Sequence, residues 1–379
     1  MVSSLTTHHP SPYPPSRSCV LSFPSPRKMT RKVFSSLTLL LIPSVCHGLV
    51  TTCKQLKDAF ALTSTQNVEV EMHPSQTIEC AKFTNMTMSQ NTLTVKSSEN
   101  VDDFFGSGTL KGVRLEVTNG AKLTWETSVL FAGVEGAVGN NLDGGAVYVG
   151  QGSTVRFLND LSMTDISIRN EVDDGDFASY LRYGGCVWTA GSFRVDGKAT
   201  FTRCKNQGAG EDPPGDGGAV YVAKTGSVRF TQGVDISETF ITDDHGAEGG
   251  GIYNLGTVNI RGNSRFENLG ASYGAGIYNG KNAVLNFRIG AKALFRDVFD
   301  NDGRGSALYN LGYVQFSGPA LFVDAEAPVI YAGDGSTTIL SEDSAFWSLE
   351  GDDSEALFIS DDADFTIPSS VTFVGYESQ

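Results

Sequence analysis

The string GGAVYV at residues 144–149 comes back five more times in near copy, and that return limits the possible folds more than any other feature. The copies are GGCVWT at 184–189, GGAVYV at 217–222, GGGIYN at 249–254, GAGIYN at 274–279 and GSALYN at 305–310. Two worn versions follow, PVIYA at 328–332 and ALFIS at 356–360. The aromatic markers Tyr148, Trp188, Tyr221, Tyr253, Tyr278, Tyr309, Tyr331 and Phe358 are 22 to 40 residues apart. A period in that range means stacked units, each burying an apolar face on the next.

Each copy reads as a short strand, because β-branched and aromatic residues follow a Gly pair fit for a tight turn. A second strand follows, for example TVRF at 154–157, SFRV at 192–195, SVRF at 227–230 and VLNF at 284–287. A third ends on Phe201, Phe266, Phe295, Phe322, Phe346 or Phe373. Three short strands per unit, with Gly at the corners and no helical segment between them, predict an all-β parallel β-helix. Successive coils lie roughly 4.8 Å apart along its axis.

Period-two alternation allows two registers. In one, Val147, Val187, Val220, Ile252, Ile277, Leu308, Ile330 and Leu357 point inward and the aromatic column points out; in the other the aromatics are buried. Asn254, Asn279 and Asn310 share the parity of the aliphatic column, which favours the first register. Stacked inward Asn can satisfy backbone groups of the neighbouring coil, so this is read as a structural ladder. An outward aromatic column would offer rings to sugars, although buried packing is the commoner fate of so many aromatics.

Residues 1–28 are Ser- and Pro-rich with no acidic residue, a composition for disorder. From Met29 the basic pair Arg31 and Lys32, an apolar run at 33–42 and a polar stretch ending at Gly48 have the form of a signal peptide at 29–48. Met29 is then an alternative start, and a signal anchor is the competing reading. Removing 1–48 takes five basic residues and no acidic one, moving the formal charge from −15 to about −20. Such a surface disfavours nucleic acid and anionic membranes, and suits a secreted protein with no stable span after cleavage.

Cys53, Cys80, Cys186 and Cys204 remain, and in an oxidising compartment proximity pairs Cys53 with Cys80 and Cys186 with Cys204. Four buried thiols are the alternative. Asn85-Met86-Thr87 is a glycosylation sequon. CKQLKDAFAL at 53–62 has the spacing of a short amphipathic helix, read as a cap over the first coil. One elongated domain at 49–379 follows.

The cap helix ahead of three-strand coils resembles the right-handed parallel β-helix of the pectin lyase-like superfamily. The GGAV, GGGI and GAGI strings are similar to repeats of chlamydial polymorphic outer membrane proteins, which are surface adhesins. The companion FxxN pattern of those repeats is not kept: Phe240 is followed at that offset by Asp243, Phe201 by Cys204 and Phe266 by Leu269. The resemblance implies the fold and surface display. It also leaves a polysaccharide lyase or glycosidase as an alternative.

Little in the chain has the form of an active site. The strings NTD, GHG and RxPxxR of pectin-active β-helix enzymes are absent. Asp243, Asp244 and His245 are the one cluster with acid and base groups, in a Gly-rich loop that does not fix their spacing. Arg156, Arg194 and Arg229 occupy the middle of the second strand in three consecutive coils and should form an outward column. Stacked like charges repel unless screened, either by neighbouring acids or by a polyanionic extracellular polysaccharide. Corner acids, among them Asp173, Asp174, Asp176, Asp212 and Asp216, would be oxygen ligands for Ca²⁺ or simply solvated. A non-catalytic adhesion or glycan-binding protein is the expectation, with the polysaccharide-active enzyme and a structural wall or matrix protein as alternatives.

Overall fold

The computed structural model describes residues 48–98, 107–137, 143–169, 183–207, 216–242, 248–300, 305–326, 328–347 and 356–374. The N-terminal extension and most of the signal-peptide segment lie outside these residues. Within them the chain winds through one helix and 30 strands, in one 11-stranded and one 19-stranded sheet. The strands pair in parallel with their counterparts in the next coil. The 11-stranded sheet holds the second strand of every coil. The larger sheet joins first and third strands, because Gly108–Val117 pairs with a third strand through its first half and a first strand through its second. The result is a parallel β-helix with three strands per coil.

In the later coils extra residues lie between the end of the third strand and the Gly pair. Nine residues separate Gln207 from Gly217 there, whereas two separate Ala271 from Gly274. The uneven repeat length arises largely at this corner. Its Gly pair is required by the backbone. Gly217 has φ +76, and a Cβ on Gly218 would meet the carbonyl oxygen of Gly250 in the next coil at 2.1 Å.

The aliphatic column points inward: Val147, Val187, Val220, Ile252, Ile277, Leu308 and Ile330 are fully buried, and only Leu357, in the last coil, is partly exposed. The aromatics of the first strand lie on the other face, outside the main core. Inside, the fully buried Phe266, Phe295, Phe322 and Phe346 stack in register, and the exposed Phe373 of the last coil ends the stack, at 4.6 to 5.1 Å between ring centroids. Burying each such ring contributes about 2–3 kcal/mol.

Five third strands turn a corner midway through a left-handed residue, Asp165, Arg203, Glu238, Asn268 or Asp297, and Asp324 does the same just after Ala320–Val323, all with φ between 49° and 55°. Gly133 has the same conformation in the preceding coil. The bend re-aims the chain so that Ile166, Cys204, Thr239, Leu269 and Val298 return to the interior. The Cys186–Cys204 disulfide, Cα–Cα 5.5 Å, ties such a corner to the first strand of its own coil.

The Asn column is continuous. Asn254 Nδ2 donates to Asn279 Oδ1 at 2.7 Å, Asn279 Nδ2 to Asn310 Oδ1 at 2.8 Å, and Asn310 Nδ2 to Thr338 Oγ1 at 2.8 Å. Their amides also donate to the carbonyls of Val284, Tyr313 and Thr337 in the next coil, so buried backbone acceptors are satisfied.

Helix α1, Cys53–Leu62, covers the first coil with Leu56, Ala59 and Phe60 buried beneath it. Thr52 and Gln55 form a reciprocal capping box, and the Cys53–Cys80 disulfide anchors the first turn to the sheet. The opposite end differs: Phe358, Ile359, Phe373 and Val374 of the final coil are each more than 40% exposed.

Candidate functional site

Over five of its coils the 11-stranded sheet turns a basic face outward. Pairing places Arg156 beside Arg194 and Arg194 beside Arg229, each one coil further along. The column continues in amides, Asn259, Asn286 and Gln315. Two residues further along each strand lies a second outward column with Asp196, Thr231, Arg261 and Arg288 in successive coils. Five arginines therefore share this face over five coils with one carboxylate. Arg261 and Arg288 escape notice in the sequence because they continue the charge from a different column.

That carboxylate is already engaged. Arg156 Nε donates to Asp196 Oδ2 at 2.7 Å, Arg194 Nε donates to Oδ1 at 2.5 Å, and Thr231 Oγ1 donates to Oδ1 at 3.1 Å. Burial pushes the Asp196 carboxyl up, but the hydrogen bonds from Arg194, Arg156 and Thr231 outweigh it and hold the group below the usual carboxylate range. Arg229 is treated differently. Its Nε is buried with no hydrogen-bond partner among the described residues. Desolvation, followed by the like charges of Arg261 and Arg194, lowers its pKa, and Asp196 offsets this only in part. Arg261 makes no ion pair among the described residues, and Arg288 Nη2 donates to the neutral Asn259 Oδ1 at 3.1 Å.

A second column occupies the corner where the first strand begins. Asp143, Tyr183, Asp216, Glu248 and Tyr273 each immediately precede a turn glycine, and the glycine N–H groups link each coil to the next. Asp216 Oδ1 accepts the Glu248 N–H at 3.3 Å. Desolvation, with the Glu248 charge beside it, pushes the Asp216 carboxyl up to about 7. Burial also raises Glu248, against hydrogen bonds from the Tyr253 and Tyr278 hydroxyls. Beside these acids the outward aromatics stack ring on ring. From Tyr148 through Trp188, Tyr221, Tyr253, Tyr278, Tyr309 and Tyr331 to Phe358 the centroids are 4.4 to 6.3 Å apart and the rings near parallel.

The rings are packed on one another, the commoner fate of so many aromatics, and are not laid open as platforms for sugars. Each inner ring spends both faces on its neighbours, and the Arg114 guanidinium lies 5.4 Å from the centroid of Tyr148 at the end of the column. Tyr221, Tyr253 and Tyr278 are only 8–9% exposed, so edges rather than faces meet solvent.

Searches against protein-family models, curated proteins and solved structures give no match for this chain.

Several residues singled out in the sequence lie outside the described residues: Asp243, Asp244 and His245 of the acid–base cluster, and Asp173, Asp174, Asp176 and Asp212 of the corner acids. Asp216 is described, and among the described residues no three His, Cys, Asp or Glu side chains converge as metal ligands would. Asn85 of the sequon lies within strand Thr77–Met88, half-buried. Its Nδ2 donates to Glu116 Oε2 at 2.8 Å and its Oδ1 accepts from Arg114 Nη1 at 3.1 Å.

Proposed function

We propose that this chain is a secreted, non-catalytic β-helix protein that binds polyanionic extracellular polysaccharide through its basic sheet face, in adhesion or matrix attachment. Arg229 carries the reading. Its charge is stacked on Arg194 and near Arg261, its Nε is buried and unpaired among the described residues, and the one carboxylate in the two columns over these five coils is taken by other arginines. Guanidinium groups pair bidentately with carboxylate and sulfate, which supplies the missing counter-charge. Two disulfides fit an oxidising, extracellular compartment. No helix among the described residues is long and apolar enough to cross a membrane. The resemblance to pectin lyase-like proteins and to adhesin repeats belongs with this reading as support from sequence pattern.

The test is a glycan array of neutral, carboxylated and sulfated polysaccharides, probed at low and at physiological salt. Retention on the charged glycans alone, falling as salt rises, is expected. The variant Arg229→Ala/Arg261→Ala/Arg288→Ala, which removes the three arginines of this face that make no ion pair among the described residues, should bind more than about tenfold more weakly. Absence of retention on every charged glycan at low salt overturns the reading.

The polysaccharide-active enzyme stays as a second reading because Asp216, pushed up to about 7 and so suited to proton transfer near neutrality, is stacked beside tyrosine hydroxyls on Glu248 of the next coil, whose carboxyl burial also raises. Turnover of a uronate polymer that is abolished by Glu248→Gln would favour it over simple binding.

A further inference from the structure

The five arginines are not equivalent, and the difference locates the ligand and shows how its access is limited. We infer that anionic groups of a glycan dock on Arg229, Arg261 and Arg288, while Asp196 acts as a resident competitor that withholds Arg156 and Arg194. This rests on the reading of the face as a polyanion site and assigns its parts.

In the N-terminal half of the face two guanidinium groups share one resident carboxylate. One Asp196 oxygen faces the Arg156 guanidinium, with Nε at 2.7 Å and Nη2 at 2.6 Å, and the other faces Arg194 Nε. Thr231 adds a third donor, so the carboxylate is held in place by three side chains from three coils. An incoming carboxylate or sulfate would have to displace an anion that is already positioned and partly desolvated.

The C-terminal half has no such anion. At the Asp196 position the following coils carry Thr231, Arg261 and Arg288, and the adjoining column carries Arg229, Asn259 and Asn286. Arg261 and Arg288 are exposed. Asn286 Nδ2 and Arg288 Nη2 both donate to Asn259 Oδ1, at 3.4 and 3.1 Å, so the amides between the cations hold the arginine in place without cancelling its charge. The three cations span three coils, roughly 10 Å along the axis. A linear chain bearing a carboxylate or sulfate on successive sugars can meet them in turn.

The assignment is tested by titrating the secreted chain with oligogalacturonates and with heparin-derived oligosaccharides over a range of salt. The two arms separate carboxylate from sulfate recognition. Arg261→Gln/Arg288→Gln should weaken binding at least tenfold, and Arg156→Gln/Arg194→Gln less than threefold. Asp196→Asn should tighten binding several-fold and steepen the log–log salt slope by roughly one to two, as two more cations shed counterions on binding. Circular dichroism on each variant confirms that the coils are intact. Equal losses in the two double variants, or an Asp196→Asn variant with unchanged affinity and slope, overturn the assignment while leaving the polyanion reading in place. Failure of the wild type to bind either oligosaccharide at any salt overturns both.

Discussion

Two columns of like residues run along the outside of this solenoid, and they behave in opposite ways. In the aromatic column each ring finds in its neighbour the partner it needs, so repetition is self-satisfying and the faces close to ligands. In the arginine column each neighbour is the wrong partner. One aspartate settles the first two members, and the next stays with its Nε buried and unmatched. A parallel in-register fold amplifies whatever a residue does to a copy of itself. Attraction becomes stability, and repulsion becomes a demand for something from outside.

The contrast is broken most sharply in the middle of the ladder. Tyr253→Ala removes a ring stacked at 5.0 and 4.7 Å and a donor to Glu248, and should destabilise the fold by about 2–3 kcal/mol in urea. A loss under 1 kcal/mol would mean that the rings only decorate the surface. A pH titration probes the acids beside that ladder. Because the folded-state pKa of Asp216 is raised to about 7, its favourable contribution is complete below the ordinary carboxylate pKa and fades as pH rises from about 4 to about 7. Asp216→Asn should flatten that decline and melt above the wild type at pH 8, as read by thermal unfolding across pH. The smallest effect belongs to the other column. Arg229→Gln relieves repulsion with Arg194 and Arg261, and its stability should stay within about 0.5 kcal/mol of wild type or rise slightly. A clear loss would show that Arg229 is structural and weaken the distinction between the columns.

Much of this was legible in the sequence, for physical reasons. The Gly pairs recur because a left-handed turn and close contact with the next coil exclude a side chain, so Gly217 and Gly218 write the repeat directly. The aliphatic column and Asn254, Asn279 and Asn310 favoured the observed register over its alternative, because burial tolerates few residue types. The left-handed corner of the third strand was invisible, since Asp165, Arg203, Glu238 and Asn268 share a backbone conformation but no chemistry. Asp196 was also missed. Its role depends on lying two residues after Arg194 and diagonally across from Arg156 of the preceding coil, a relation between coils that no single strand displays. Nor did the sequence tell stacked outward rings from rings available to sugars, because both have the same alternation.

The corner ahead of each Gly pair sets nine residues between Gln207 and Gly217 and two between Ala271 and Gly274, while the strands on either side keep their pairing. Length is thus decoupled from architecture: segments can be lengthened, trimmed or exchanged at this one seam without shifting a single rung elsewhere. The seam would serve equally well for mutation over generations and for grafting a foreign epitope or tag, in repeated array, onto a rigid rod.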